Sequence, residues 1–380
     1  MDNFVFKNPT EILFGRGMIA QITERIPAER PVLFLYGGGS IKRNGVYDQV
    51  RAALKAHQVI EFGGIEANPV YETCLKAVDE VKAHGVGFIL AVGGGSVVDA
   101  AKFIAAASLY KGEEPWEILL TGGEEIQAAL PLGAVLTLPA TGSESNGNAV
   151  ISRQATHEKL ALASGLVFPV FSVLDPETTF TLPKKQVRNG VVDSFVHVME
   201  QYLTFPVYAP LQDRFSESIL QTLVEVGPVT LAEPQNYDAR AAFMWSATLA
   251  LNTLIACGVP QDWSTHMIGH ELTAFYGLDH AESLAIVLPG VWERELEHKA
   301  AKLEQYGVRV WGVQTAQAAI AATEQFFQSL GMPTRLSDYQ IDAEEAAEKV
   351  RARFTERGTV LGEHQDLTPD AVAAILRSRA

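Results

Sequence analysis

The chain has 380 residues, 47% of them hydrophobic and 20% charged, with a formal net charge of −15 at pH 7. That length allows two or three domains, and the composition argues against disorder. The acidic balance argues against a nucleic-acid partner, which needs a basic stripe, but not against an anionic cofactor, which needs only a local pocket of backbone N–H groups.

In chain order, the N-terminal MDNFVFKNPTEILFGRG lacks the basic region and apolar run of a signal peptide. Val32–Tyr36 reads as a strand ending in Gly37-Gly38-Gly39-Ser40, with a helical pattern to about Ala56. The run 59–62 leads into Gly63-Gly64 and a turn at Asn68-Pro69. Tyr71–His84 is helical, 87–92 is a strand ending in Gly93-Gly94-Gly95-Ser96, and Val97–Ala107 is helical again. Segments 132–138 and 170–174 are further strands. Strands alternating with helical patterns predict βαβ units and a mostly parallel sheet. The most apolar stretch, 86–110, contains the second glycine run, Asp99 and Lys102, which argues against a membrane span. A soluble, cytoplasmic protein is expected. Cys74 and Cys257, the only cysteines, read as reduced core residues.

From about Pro183 the period becomes helical. The segments 186–203, 212–225, 238–257, 261–275, 281–290, 296–311 and 314–330 carry it, and 334–370 reads as polar surface helices and loops without chemistry. The predicted fold class is therefore an α/β dinucleotide-binding domain over 1–184, followed by an all-helical domain over 185–380 for metal and substrate.

Both GGGS segments stand where a strand hands over to a helix, so unpaired N–H groups and the positive helix end point to one place. Neither is the G-x-G-x-x-G fingerprint, and each alone is equally a tight turn. Two copies in successive βαβ units fit a dinucleotide better. Asp99, three residues after Ser96, is either a helix-dipole charge or a cofactor contact. Residues 36–44 contain no acid and carry Lys42 and Arg43. A carboxylate about 4 Å from a ribose 2′-phosphate would cost on the order of 4 kcal/mol at an effective dielectric of ~20, so its absence permits NADP(H). The loop 137–146 offers the hydroxyls of Thr137, Thr141 and Ser143.

Asp193 and His197 are spaced i, i+4, as are His266 and His270, and His280 follows His266 by fourteen residues. On helices, i, i+4 pairs share a face. Any one of these histidines alone reads more readily as a packed or capping residue than as a ligand. Together, imidazoles and a carboxylate suit Zn²⁺ or Fe²⁺ rather than Ca²⁺ or Mg²⁺. The H-E-x-x-H protease motif is absent. Phe195, Trp245, Leu254 and Trp263 are candidate apolar walls.

These residues carry a resemblance. FxxPTEIxFGxG from Phe6, GGGSVVDAAK at 93–102, PATGSESN at 139–146, DSFVHxxEQY at 193–202 and HMIGHELTAxxGLDHA at 266–281 resemble the iron-containing (group III) alcohol dehydrogenases over essentially the whole chain. YGGGS with a basic pair, FGGIExNP and VPQDWxTHMxGHELT resemble the NADPH-dependent aldehyde reductase/butanol dehydrogenase branch. The resemblance implies a homodimer with the metal in a cleft between its two domains, acting on short to medium aldehydes and alcohols with no nucleic-acid or membrane partner. It implies Asp193, His197, His266 and His280 as metal ligands, with His270 a non-ligand facing nicotinamide or substrate. It implies cofactor contacts at Gly38, Gly39, Ser40, Asn68, Gly95, Ser96, Asp99, Thr137, Thr141 and Lys159. One departure is Glu177-Thr178-Thr179-Phe180 after the LDP motif, where relatives in this branch can place an aromatic. The competing reading, a metal- and dinucleotide-dependent lyase of the dehydroquinate synthase kind, needs several cations near the metal. Segments 193–203 and 261–285 have none.

Overall fold

The computed structural model describes all 380 residues. Its strands are β1 (Glu11–Phe14), β2 (Val32–Tyr36), β3 (Val59–Gly63), β4 (Phe88–Gly94), β5 (Leu132–Leu138), β6 (Asn148–Arg153), β7 (Glu158–Ala163) and β8 (Phe171–Leu174). Six form one sheet in the order β3-β2-β4-β5-β8-β1, all parallel, while β6 and β7 form a separate antiparallel hairpin. The helices are α1 (Val46–Ala53), α2 (Tyr71–His84), α3 (Gly95–Ala107), α4 (Glu117–Leu120), α5 (Lys184–Tyr202), α6 (Pro210–Ala232), α7 (Tyr237–Ala250), α8 (Ser264–Tyr276), α9 (His280–Arg294), α10 (Leu296–Tyr306), α11 (Ala316–Ser329), α12 (Ala343–Arg357) and α13 (Pro369–Ser378).

The continuous apolar runs of the sheet strands follow from burial on both faces. Alternate side chains point to opposite sides. Leu33, Leu35, Ile89 and Ala91 pack with Cys74, Val78 and Val98 of α2 and α3 on one side. Phe34, Leu90 and Val92 pack with Ile19, Ile22, Val46 and Val50 on the other. Cys74 and Cys257 are both free and buried. The helix expected from Ser40 to Ala56 is shorter: a 3-10 turn at Ser40–Lys42 is followed by Gly45 at φ 81°, and α1 starts only at Val46. Strand β1 and the β6–β7 hairpin carry no strong sequence signal, because each is only partly buried.

The chain forms two compact units. One comprises Lys7–Pro183 and Pro234–Asn252, and the other Met1–Phe6, Lys184–Glu233 and Thr253–Ala380. The change of character near Pro183 coincides with one passage between units, but α7 belongs to the sheet-bearing unit and not to the helical domain in which 185–380 were placed. Its residues explain this. Trp245 lies edge-on to Phe14, Thr248 Oγ1 donates to Glu144 Oε1, and the Leu251 carbonyl after α7 accepts from Asn146.

In the helical unit α5 is buried from Gly190 to Tyr202, and α9 from Ala281 to Trp292. Two helices run through prolines, one of them beyond the expected segment 212–225 and the other within the expected segment 281–290. Helix α6 continues past Pro228 and α9 past Pro289. Each proline removes one N–H, but in α9 the buried Val291 and Trp292 beyond it keep the next turn in place. The stretch 334–370 is not merely surface. Helix α12 buries Ala346, Ala347, Val350 and Phe354. No helix is long and apolar enough to cross a membrane.

Candidate metal centre and dinucleotide loops

Helix α5 presents Asp193 and His197 one turn apart, both buried. Helix α8 supplies His266 in its first turn. Asp262 caps that turn, its Oδ1 accepting from Ser264 N–H at 3.1 Å. Helix α8 stops at Gly277, whose φ of 69° is the left-handed C-terminal cap, and the N-cap of α9 follows two residues later. Asp279 and Glu282 form a reciprocal capping box there, so His280 becomes the first residue of α9. The run Gly-Leu-Asp-His-Ala-Glu is thus a stop and a start, and its product is a fixed position for His280.

These elements bring the expected ligands together. Ligand atoms of Asp193, His266 and His280 lie within 4.8 Å of one another. His197 Nε2 is 3.1 Å from His266 Nε2, and Asp193 Oδ1 is 3.7 Å from both His197 Nδ1 and His280 Nε2. A tetrahedral ion with bonds of about 2.0–2.1 Å spaces neighbouring ligand atoms about 3.3–3.4 Å apart, and the His197 Nε2–His266 Nε2 and Asp193 Oδ1–His280 Nε2 separations bracket that value. Asp193 Oδ1 is buried without a hydrogen bond, which is costly for a carboxylate unless a cation completes it. Three imidazoles and one carboxylate are also the donor set of a borderline divalent metal. The residues fit the group.

The His270 ring is buried, 5.3 Å from the His280 ring and 6.2 Å from that of His266. Trp263 lies edge-on to His266 and His197, at 5.3 and 6.2 Å between ring centroids. Phe195, by contrast, is a core residue, packed against Trp311, Phe326 and Phe327. Trp245 stands in the other unit. Two features escaped the sequence reading. Glu200 is buried, accepts from the His266 backbone N–H at 3.1 Å and hydrogen-bonds His266 Nδ1 with its other oxygen. Burial holds its carboxyl well above the usual carboxylate range, against the pull of the His266 amide. Glu271, next to His270, is clamped by Arg353 at 2.7 Å and Arg357 at 2.9 Å. The signal for Glu200 is an acid three residues after His197 on a wholly buried helix face. The partners of Glu271 lie more than eighty residues away in sequence, so no local signal exists.

In the sheet-bearing unit, the turn after β2 holds Gly38, Gly39 and Ser40, with Gly38 and Ser40 exposed and Gly39 at φ 85°. Gly95 and Ser96 open α3 directly from β4. A Cβ on Gly95 would stand 2.3 Å from Thr141 Oγ1, so only glycine lets this turn meet the 139–146 loop. Asn68, at φ 55°, accepts from Lys159 Nζ at 3.0 Å. Thr137 is buried and Thr141 half-buried.

Asp99 has a structural job whatever else it meets. Its Oδ1 accepts from Ser143 Oγ at 2.6 Å and its Oδ2 from Val150 N–H at 3.0 Å. The fully buried Lys102 donates to Ser143 Oγ, Asn146 Oδ1 and the Asn148 carbonyl at 2.8, 3.0 and 2.6 Å. Burial pushes its ammonium down to about 8, against the attraction of Asp99 and Glu144. Asp99 and Lys102 together moor the loop that carries Thr141.

Comparison with known proteins agrees with this architecture. The iron-containing alcohol dehydrogenase family pattern matches residues 9–176, and the pattern for that family's C-terminal part matches residues 188–380. The NADPH-dependent aldehyde reductase YqhD of Escherichia coli is 57% identical over 97% of each chain.

The chain belongs to the iron-containing alcohol dehydrogenase family.

Other members include the NADP-dependent alcohol dehydrogenase 3 of Entamoeba histolytica, 43% identical over 97% of this chain and 96% of that one. The probable NADH-dependent butanol dehydrogenase 1 of Bacillus subtilis is 41% identical over all of both chains. A crystal structure of E. coli YqhD matches with a TM-score of 0.98 at 56% identity, covering 100% of this chain and 99% of that chain. In this member of the family, the residues after the LDP motif form a 3-10 turn capped by Asp175. Thr178 there is buried and donates to the Leu136 carbonyl at 2.8 Å.

Proposed function

We propose that this chain is a metal-dependent aldehyde reductase/alcohol dehydrogenase that uses NADP(H) and acts on short to medium aldehydes and alcohols. The observation that carries the reading is the convergence of three imidazoles on a buried carboxylate oxygen that makes no hydrogen bond. Asp193, His197, His266 and His280 would hold one Zn²⁺ or Fe²⁺. The chemistry supplied when both groups are bound is polarisation of a carbonyl oxygen by the ion and a hydride from the nicotinamide, so that aldehyde, NADPH and a proton become alcohol and NADP⁺.

The chain's own residues do the rest. His270, beside the ligand cluster, would pass the proton to the substrate oxygen. Trp263 shields two of the imidazoles from water. Gly38, Gly39, Ser40, Asn68, Gly95, Ser96, Asp99, Thr137, Thr141 and Lys159 would serve the dinucleotide, Asp99 through the loop it moors. The names of the relatives divide between NADP and NADH, so this chain's own turn decides. Without a carboxylate over 36–44, and with Ser40 exposed, it accommodates a 2′-phosphate.

The cations around α9 disfavour the lyase alternative. Lys185 pairs with Asp279 at 2.7 Å and Arg188 with Glu282 at 3.0 Å, so neither is left to bind an anionic substrate. A homodimer in the cytoplasm completes the proposal, and a second copy would cover the exposed Phe4, Val5 and Phe6.

The test is Asp193→Asn, assayed for bound metal and for NADPH oxidation with butanal. The wild type should carry one ion and turn over, while the variant loses the ion and at least 100-fold in kcat. A variant that keeps both metal and turnover would refute the reading.

A further inference from the structure

Glu200 is three residues beyond His197 on α5, and nothing in the reaction scheme calls on it. Yet it makes three bonds to one short segment. Its backbone carbonyl accepts from Asp262 N–H at 2.9 Å, its Oε1 accepts from His266 N–H at 3.1 Å, and its Oε2 meets His266 Nδ1. The side chain is buried. Asp262 in turn caps α8 through Ser264 and pairs with the buried Lys299 at 3.0 Å. The segment 262–266 is therefore sewn to the helix that carries Asp193 and His197, and the seam runs through one residue, by its backbone carbonyl and its carboxyl group.

An imidazole offers two nitrogens, and which one faces an ion is set by what the other one donates to. With Nδ1 engaged by Glu200, Nε2 is the ring nitrogen left to face an ion. Nε2 is the nitrogen that stands 3.1 Å from His197 Nε2. Rotating the ring by half a turn would break the Glu200 bond and leave a buried carboxylate oxygen without a donor, which is costly.

We infer that Glu200 is a positioning residue of the metal centre: bonded to both the backbone N–H and Nδ1 of His266, it fixes the orientation of that ring. The inference rests on the reading of His266 as a ligand. Groups in this outer position typically change metal affinity by about 10- to 100-fold. Gln carries one acceptor oxygen and one NH2 group, so Glu200→Gln keeps the shape but can accept from only one of the two His266 nitrogens. Glu200→Ala removes both bonds.

The experiment measures Zn²⁺ dissociation constants by competition with a chromophoric chelator for wild type, E200Q, E200A and H266A. The surroundings of the His266 ring nitrogens are read in parallel by ¹⁵N NMR on the metal-free proteins, and circular dichroism checks folding. The inference predicts affinity about 10-fold weaker in E200Q and about 100-fold weaker in E200A. It also predicts a His266 Nδ1 resonance that shifts in E200A and, by less, in E200Q. If H266A binds Zn²⁺ as tightly as the wild type, the ligand reading itself is wrong. If H266A loses the ion while E200Q and E200A match the wild type in affinity and in the Nδ1 resonance, the ligand reading stands and the role of Glu200 is overturned. Should E200A fail to fold, the isosteric E200Q decides.

Discussion

Ser40 ends the glycine turn after β2, exposed and with no carboxylate on either side over residues 36–44. Lys42, just beyond, has its ammonium 4.8 Å from the Tyr36 ring centre, and a hydrogen bond to Tyr36 holds its pKa above the ordinary value. The proposal for NADP(H) concentrates on this position. Ser40→Asp would place a charge about 4 Å from a 2′-phosphate, a penalty on the order of 4 kcal/mol at an effective dielectric of ~20. The expected result is a fall of roughly 100- to 1,000-fold in kcat/KM for NADPH with that for NADH changed less than about threefold; equal losses with both cofactors would place the phosphate elsewhere. At this scale the sequence is informative where spacing maps directly onto geometry, as it does for Asp193 with His197. It is silent where a partner comes from a distant segment. Lys102 and Asp99 lie three residues apart, but their shared task is set by Ser143, Asn146 and Val150.

The junction of α8 and α9 shows how an element boundary can build a site. Gly277 ends one helix, Asp279 begins the next, and His280 is placed by the cap between them. Asp279→Ala removes the N-cap and the Lys185 ion pair, at about 1 kcal/mol for the cap. It should lower the urea midpoint modestly and weaken Zn²⁺ binding several-fold, while His197 and His266 stay in place. Unchanged Zn²⁺ affinity would show that the cap does not set His280. The stop and start were legible in the sequence because glycine and aspartate act locally. Strand β1, the β6–β7 hairpin and the assignment of α7 were not. An amphipathic helix such as α7 suits either unit, and only its contacts with Phe14 and Glu144 decide. Past Pro228 the expected helix stopped too early, since tertiary burial carries α6 through it.

For the whole molecule, the parallel sheet and the helical unit were readable from the change in period near Pro183, because strands buried on both faces and amphipathic helices leave different patterns. All four proposed ligands lie in the helical unit, so an ion bound there stabilises that unit by mass action. The gain is about 2.7 kcal/mol when free metal is 100 times its Kd. Chelation should therefore lower the melting of the helical unit and leave the sheet-bearing unit with its own core. The most direct test of the account measures NADPH oxidation with butanal on metal-free, Zn²⁺-loaded and anaerobic Fe²⁺-loaded protein, with NADH in parallel. The account predicts turnover only with metal, faster with NADPH. Equal turnover in the metal-free protein, or none with either metal across several aldehydes, would contradict it.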